Sequence, residues 1–145
     1  MSAPLYNQRI LRLAADIPHH ARLPEPMGTA EKRSPVCGSR VTVDADLDAD
    51  GRVSAVGLLV RACALGQASS ALLAGAAEGR TPEELARARD ELAAWLAGGA
   101  AAPGWPGLAV FEPALGHTAR HASIRLAFEA AAEAAAEAAA KAPAR

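Results

Sequence analysis

Cysteine is scarce in this 145-residue chain: Cys37 and Cys63 are the only two, and they do not form a CxxC pair. Without that pair, and with no acid or base placed beside either thiol, the sequence offers little support for a thiol-dependent enzyme. Aromatic residues are few as well, with two Trp, two Phe and one Tyr. Hydrophobic residues still make up 51% of the chain. Much of that share is alanine, which buries little area, so the core is expected to rest on a short set of Leu, Ile, Val, Trp and Phe. Charge of one sign is lacking too. Fifteen Lys and Arg face sixteen Asp and Glu, which excludes an obvious nucleic-acid footprint or basic membrane-binding surface. No apolar run is long enough to cross a bilayer, and the first residues lack the charged and apolar segments of a secretory signal. A cytoplasmic protein with reduced thiols, and neither nucleic acid nor membrane as partner, is the expectation. The length suits one domain.

What is present is a clear β-hairpin. From Ser39 to Leu47 apolar and polar residues alternate, with Val41, Val43, Ala45 and Leu47 on one face and Arg40, Thr42, Asp44 and Asp46 on the other. The turn Asp48-Ala49-Asp50-Gly51 follows, and Arg52 to Ala62 returns as a second strand. Counting outward from the turn sets position 37 opposite 62 or 63, so the two cysteines should meet at one end of the sheet unless a bulge shifts the register. The aspartates at 44, 46, 48 and 50 lack the spacing of a calcium loop and read as a solvated hairpin face.

Helices surround the hairpin. Tyr6, Ile10, Leu13 and Ile17 recur at helical spacing and predict an amphipathic helix over Leu5 to Ile17, ended by Pro18. The stretch from Pro18 to Pro35 reads as an irregular loop, with His19 and His20 solvated within it. Ala64 to Glu78 predicts a helix of small residues closed by Gly79. Thr81-Pro82-Glu83-Glu84 is a capping box with proline at the first helical position, and Leu85, Ala88, Leu92 and Trp95 form one face of the helix it starts. Gly98 to Gly116 predicts a flexible connection with a brief extended segment at Leu108 to Phe111. A last helix begins near Thr118. Beyond Ala130 it becomes an Ala/Glu repeat, read as a solvated tail, so that residues 1–130 form the domain and 131–145 an extension. The fold class is α+β: a small antiparallel sheet covered on one face by helices, with a third strand drawn from the Pro35 region or from Leu108 to Phe111.

The candidate site lies where the open end of the hairpin meets the helix starts. Cys63 precedes a helix, whose free N–H groups favour negative charge, and thiolates bind metals. Cys37 sits between Pro35 and Gly38 in a tight loop at the sheet's rim. His117 and His121, four apart, would share a face if the last helix starts early enough. Sulfur with imidazole suits zinc, copper(I) or iron-sulfur. Burial of both cysteines in the core is the alternative.

Leu5-Tyr6-Asn7 with Ile10-Leu11, then Pro35-Val36-Cys37-Gly38, then Ala62-Cys63-Ala64-Leu65-Gly66-Gln67-Ala68-Ser69-Ser70, then Thr81-Pro82-Glu83-Glu84-Leu85, together resemble the U-type iron-sulfur cluster assembly scaffolds, the IscU/SufU/NifU N-terminal family. The resemblance spans about Leu5 to Ala130, and the string from Cys63 to Ser70 is its most specific part. It implies a site of three cysteines and an aspartate, built from the loop before the hairpin, the start of the helix after it and the start of the last helix. Cys37 and Cys63 fall on the first two cysteines. His121 stands at the third and Ser39 at the aspartate. The family's third cysteine is implicated in receiving sulfur from a cysteine desulfurase, and the family's chaperone-recognition motif has no counterpart here, where Phe111-Glu112-Pro113 occupies the region.

The resemblance thus implies a scaffold or carrier that holds a labile 2Fe-2S cluster, or iron or zinc, on Cys37, Cys63 and His121, with Ser39 or His117 as candidates for the fourth position. Zinc bonds of about 2.0 to 2.3 Å suit this donor set. Expected partners are a cysteine desulfurase or other cluster-assembly proteins, recipient apo-proteins, and a second copy joined through a bridging cluster. The competing expectation is a non-catalytic interaction module of the same fold with structural zinc or no metal.

Overall fold

A computed structural model describes residues 5–35, 38–99 and 101–142. Its elements run, in order, α1 (Gln8–Ala15), β1 (Gly28–Arg33), β2 (Arg40–Leu47), β3 (Val53–Arg61), α2 (Ala64–Ala76), α3 (Pro82–Leu96), two 3₁₀ helices (Leu108–Ala114 and Thr118–Arg120) and α4 (His121–Lys141). The three strands form one antiparallel sheet in the order β1-β2-β3. The fold is the expected α+β arrangement.

The hairpin forms where the alternation placed it, but its register is shifted. Asp46 pairs with Ala55 whereas Leu47 pairs with Val53, so Ser54 is the extra residue of a β-bulge. The last pair is Arg40 with Arg61. Extending that register two steps sets Gly38, rather than position 37, across from Cys63. Val41, Val43 and Ala45 face the helices beside their partners Val60, Leu58 and Val56, and all six are buried.

The third strand, β1, lies within the stretch read as irregular loop. Gly28-Thr29-Ala30-Glu31-Lys32-Arg33 carries no large apolar residue to announce a strand. The reason is the helix lying on it. A Cβ at Gly28 would fall inside contact distance of the Ala134 carbonyl oxygen and 2.7 Å from the Ala138 nitrogen. Only glycine admits so close an approach of α4.

The expected solvated tail is part of the core. Ala130, Ala131, Ala134, Ala135 and Ala138 are buried at 2% exposure or less, and α4 packs against β1, β2, α2 and α3. Alanine was read as having little to bury. Its small size instead lets the helix axis approach the sheet, and many short contacts replace a few long side chains. Glutamates lie on the other face, where Glu129 pairs with Arg125 and Glu137 with Lys141 four residues away, while Glu133 reaches Lys32 of β1.

The remaining helices follow local signals. Asn7 caps α1 through its side chain, which accepts from the Ile10 amide at 3.0 Å. The helix is shorter than expected, with Ile10 buried and Tyr6 and Leu11 exposed. The capping box of α3 is complete: Thr81 Oγ1 accepts from the Glu84 amide and Glu84 accepts from the Thr81 amide, both at 3.1 Å. Leu85, Ala88, Leu92 and Trp95 are all buried. Leu108 to Ala114 is a buried 3₁₀ helix, not an extended segment, with Gly107 at positive φ before it.

His19 and His20 are exposed, as expected of the stretch, yet both also accept hydrogen bonds from the sheet. The Leu58 amide donates to the His19 carbonyl at 2.9 Å, and the Val60 amide donates to His20 Nε2 at 3.3 Å, closing the free edge of β3. The same stretch crosses the outer face, where Arg22 reaches Asp44 at 2.7 and 3.1 Å and the Leu23 amide adds a third bond at 3.0 Å. Asp44 is therefore fully buried, contrary to a solvated hairpin face, while Asp48 and Asp50 are exposed. Burial opposes its charge. The bonds from Arg22, Thr29 and Leu23 and the guanidinium charge outweigh that cost and hold its carboxyl below the ordinary aspartate range.

Candidate functional site

Three chain segments converge at one end of the sheet. The first is the loop from Ser34 to Ser39, closed by the Ser34 amide donating to the Ser39 carbonyl at 2.9 Å. Gly38 there has φ of +71°, a conformation that suits glycine. The second is the start of α2, where β3 ends at Arg61 and Cys63 takes the N-cap position with an extended backbone. The third is the start of α4.

Small residues bring these segments together. Ser39 is buried, and its hydroxyl lies 3.3 Å from that of Ser123, also buried, in the first turn of α4. A Cβ at Gly66 would meet Ala62 Cβ at 2.7 Å and the Ser123 carbonyl at 3.2 Å. Ser69 donates its hydroxyl to the Ile124 carbonyl. The first turns of α2 and α4 are thus held in direct contact, and the entry to β2 is tied to both. Gly66, Ser69 and Ser123 position these segments; Gly66 and Ser69 stand inside the most specific motif string, which was the available signal for them, whereas no motif marks Ser123.

Cys63 is a free, half-buried thiol, and its side chain makes no capping hydrogen bond to α2. His121 is the first residue of α4, and its Nε2 lies 2.9 Å from the Ala114 carbonyl oxygen. A carbonyl only accepts, so Nε2 carries the hydrogen and a neutral ring keeps its lone pair on Nδ1. That is the arrangement in which a metal-binding histidine is commonly oriented by a backbone carbonyl. The buried 3₁₀ helix that ends at Ala114 supplies the acceptor.

The other candidates stand differently. Ser39 directs its hydroxyl to Ser123. His117 is exposed and precedes the short 3₁₀ helix Thr118–Arg120, so α4 starts at His121 and the two histidines do not share an α-helical face. Cys37 lies outside the described residues. Among the described residues no three His, Cys, Asp or Glu side chains come together as a metal-holding group. Nor is any helix among them long and apolar enough to cross a membrane.

Solved structures share this fold. The N-terminal part of a NifU-like nitrogen-fixing protein from Brucella abortus is 40% identical, with 95% of this chain and 96% of that one covered and a TM-score of 0.88. This chain belongs to the U-type scaffold family. The likeness of fold extends to a putative iron-sulfur cluster assembly scaffold protein for the SUF system from Fervidobacterium islandicum, at 18% identity, 90% and 96% coverage and a TM-score of 0.82. No family model matches the chain, and none of the curated proteins does. In this chain Ser39 is tied to Ser123 and His121 to Ala114.

Proposed function

We propose that this chain is a non-enzymatic scaffold or carrier for iron-sulfur cluster assembly. Its cargo is a labile 2Fe-2S cluster, or the iron or zinc that occupies the same donors, held by Cys37, Cys63 and His121. The observation that carries the reading is the meeting of the starts of α2 and α4 with the entry to β2, in a chain 40% identical to a NifU-like protein. Cys63 and His121 occupy two of those three segments, and Cys37 lies next to the third.

The donor set fits the cargo chemically. Thiolate sulfur and imidazole nitrogen both bind iron and zinc, and the His121 ring is already oriented by its Nε2 bond to Ala114, which leaves Nδ1 for the metal. Histidine in place of a third thiolate removes negative charge, so a cluster held here is easier to reduce than one on cysteines alone. With three donors in one chain, the fourth position falls to Ser39, to His117 or to a partner. A second copy bridged by the cluster, a sulfur-donating cysteine desulfurase and recipient apo-proteins are the partners this reading calls for, in the cytoplasm.

Anaerobically purified protein should contain iron and acid-labile sulfide, and Cys63→Ser should lose both while its circular dichroism stays unchanged. Equal metal content in that variant would contradict the proposal. The resemblance, which sets His121 where the family has its sulfur-receiving cysteine, favours a second reading, a non-catalytic interaction module of the same fold with a structural zinc or no metal. A structural metal contributes folding energy outright. With a structural zinc, chelation would unfold the domain, whereas a carrier empties and stays folded.

A further inference from the structure

On the outer face of the sheet, Arg33, Arg40 and Arg61 form one row across all three strands, since Arg33 pairs with Arg40 and Arg40 with Arg61. Like charges directly opposite one another weaken a sheet. Two such pairs in succession, at the last rung before the site, are a local rule broken without a gain in packing. Glu31, on the next row, relieves part of the repulsion, lying 3.1 Å from Arg33 and 3.6 Å from Arg40. Three guanidinium groups against one carboxylate leave an excess of positive charge on a chain whose overall charge is −1.

The row is accessible. Arg33 and Arg61 are exposed and Arg40 is about one third exposed. Together with Ser34, Pro35 and Gly38 they line an open cleft of about 440 Å³. Leu59, beside them on the same face, is 42% exposed. The cleft adjoins the candidate site, because Arg61 is two residues before Cys63, and Pro35 and Gly38, which also line it, stand on either side of Cys37 in the sequence.

We propose that this row is a docking surface for a carboxylate-rich segment of a partner protein. Guanidinium forks pair well with carboxylates, and a line of three crossing the full width of a sheet matches an extended acidic segment better than a single small anion. The purpose of such docking rests on the cargo reading above, since a partner seated here would lie against the rim that holds Cys63. Its existence does not depend on that reading.

Fluorescein-labelled hexaglutamate, titrated into the full chain at low salt and followed by anisotropy, tests the surface. The triple variant Arg33→Gln, Arg40→Gln and Arg61→Gln should lose affinity by about tenfold, and added salt should weaken wild-type binding. A control of equal charge change on exposed arginines elsewhere, Arg9→Gln, Arg12→Gln and Arg87→Gln, should bind as wild type does. Circular dichroism confirms that both triples are folded. Cys63→Ser should keep the peptide while losing metal, and the row variant should keep metal while losing the peptide, so the two proposals fail separately. Equal loss in both triples, no binding by wild type, or binding of citrate without binding of the peptide would each overturn the docking surface.

Discussion

His121 donates from Nε2 to the Ala114 carbonyl and so presents Nδ1 as its free lone pair. Two consequences follow for variants. His121→Ala should lose bound iron, and His121→Cys should retain it with a lower cluster reduction potential than wild type, read by spectroelectrochemical titration. An unchanged potential in His121→Cys would place the ring outside the ligand set. Asp44 is the other residue whose environment makes a prediction. Its buried carboxylate accepts from Arg22 and from the Leu23 amide, so Asp44→Asn should cost about 2 kcal/mol in urea unfolding. The carboxyl titrates below its unfolded value. Its contribution is therefore present above about pH 4 and is lost as the pH falls through the folded value. A urea midpoint that stays flat on acidification below pH 4 in wild type would contradict this. At this scale the sequence nominated side chains by their chemistry and said little of their placement. Cys63 and His121 could be singled out by residue type and by resemblance, whereas the burial of Asp44 depends on Arg22 crossing the sheet from twenty-two residues away, which no local pattern reports.

Among the elements, α4 determines the most. It lies against β1, β2, α2 and α3, and it does so through alanine on its side and Gly28 on the strand's. Ending the chain after Ala130 should therefore abolish cooperative unfolding, where a solvated tail would leave the midpoint unchanged. Gly28→Val should destabilise by about 3 kcal/mol or more, because backbone stands where the new side chain would go. Thermal melts followed by circular dichroism distinguish these outcomes. The same pairing explains which elements were legible. The β2-β3 hairpin announces itself by alternation, and α3 by its capping box and its spaced Leu85, Leu92 and Trp95. β1 and the second half of α4 carry only small or charged residues, because two backbones in close approach leave no room for the large apolar groups on which periodicity depends. The 3₁₀ helix at Leu108–Ala114 was hidden by its own Pro113 and the flanking glycines.

For the molecule as a whole, the proposed cargo site and docking surface lie together at the end of the sheet away from the hairpin turn. The loop before β2 and the starts of α2 and α4 meet there, and the arginine row lies on the adjacent outer face. The helices cover the opposite face and fix those starts. A domain built this way has no need of a metal to stay folded, since the contacts of Gly66, Ser69 and Ser123 hold the rim by themselves. Removing metal with a chelator should accordingly shift the melting midpoint by only a few degrees, and a collapse of the fold would favour the structural-zinc module. The central claim is cargo held by Cys37, Cys63 and His121. Its most direct test is iron, zinc and acid-labile sulfide content, with an absorption spectrum, on anaerobically purified protein beside Cys37→Ser, Cys63→Ser and His121→Ala. The account predicts iron with sulfide in the wild type and its loss in all three folded variants; metal content unchanged by the three substitutions would contradict it.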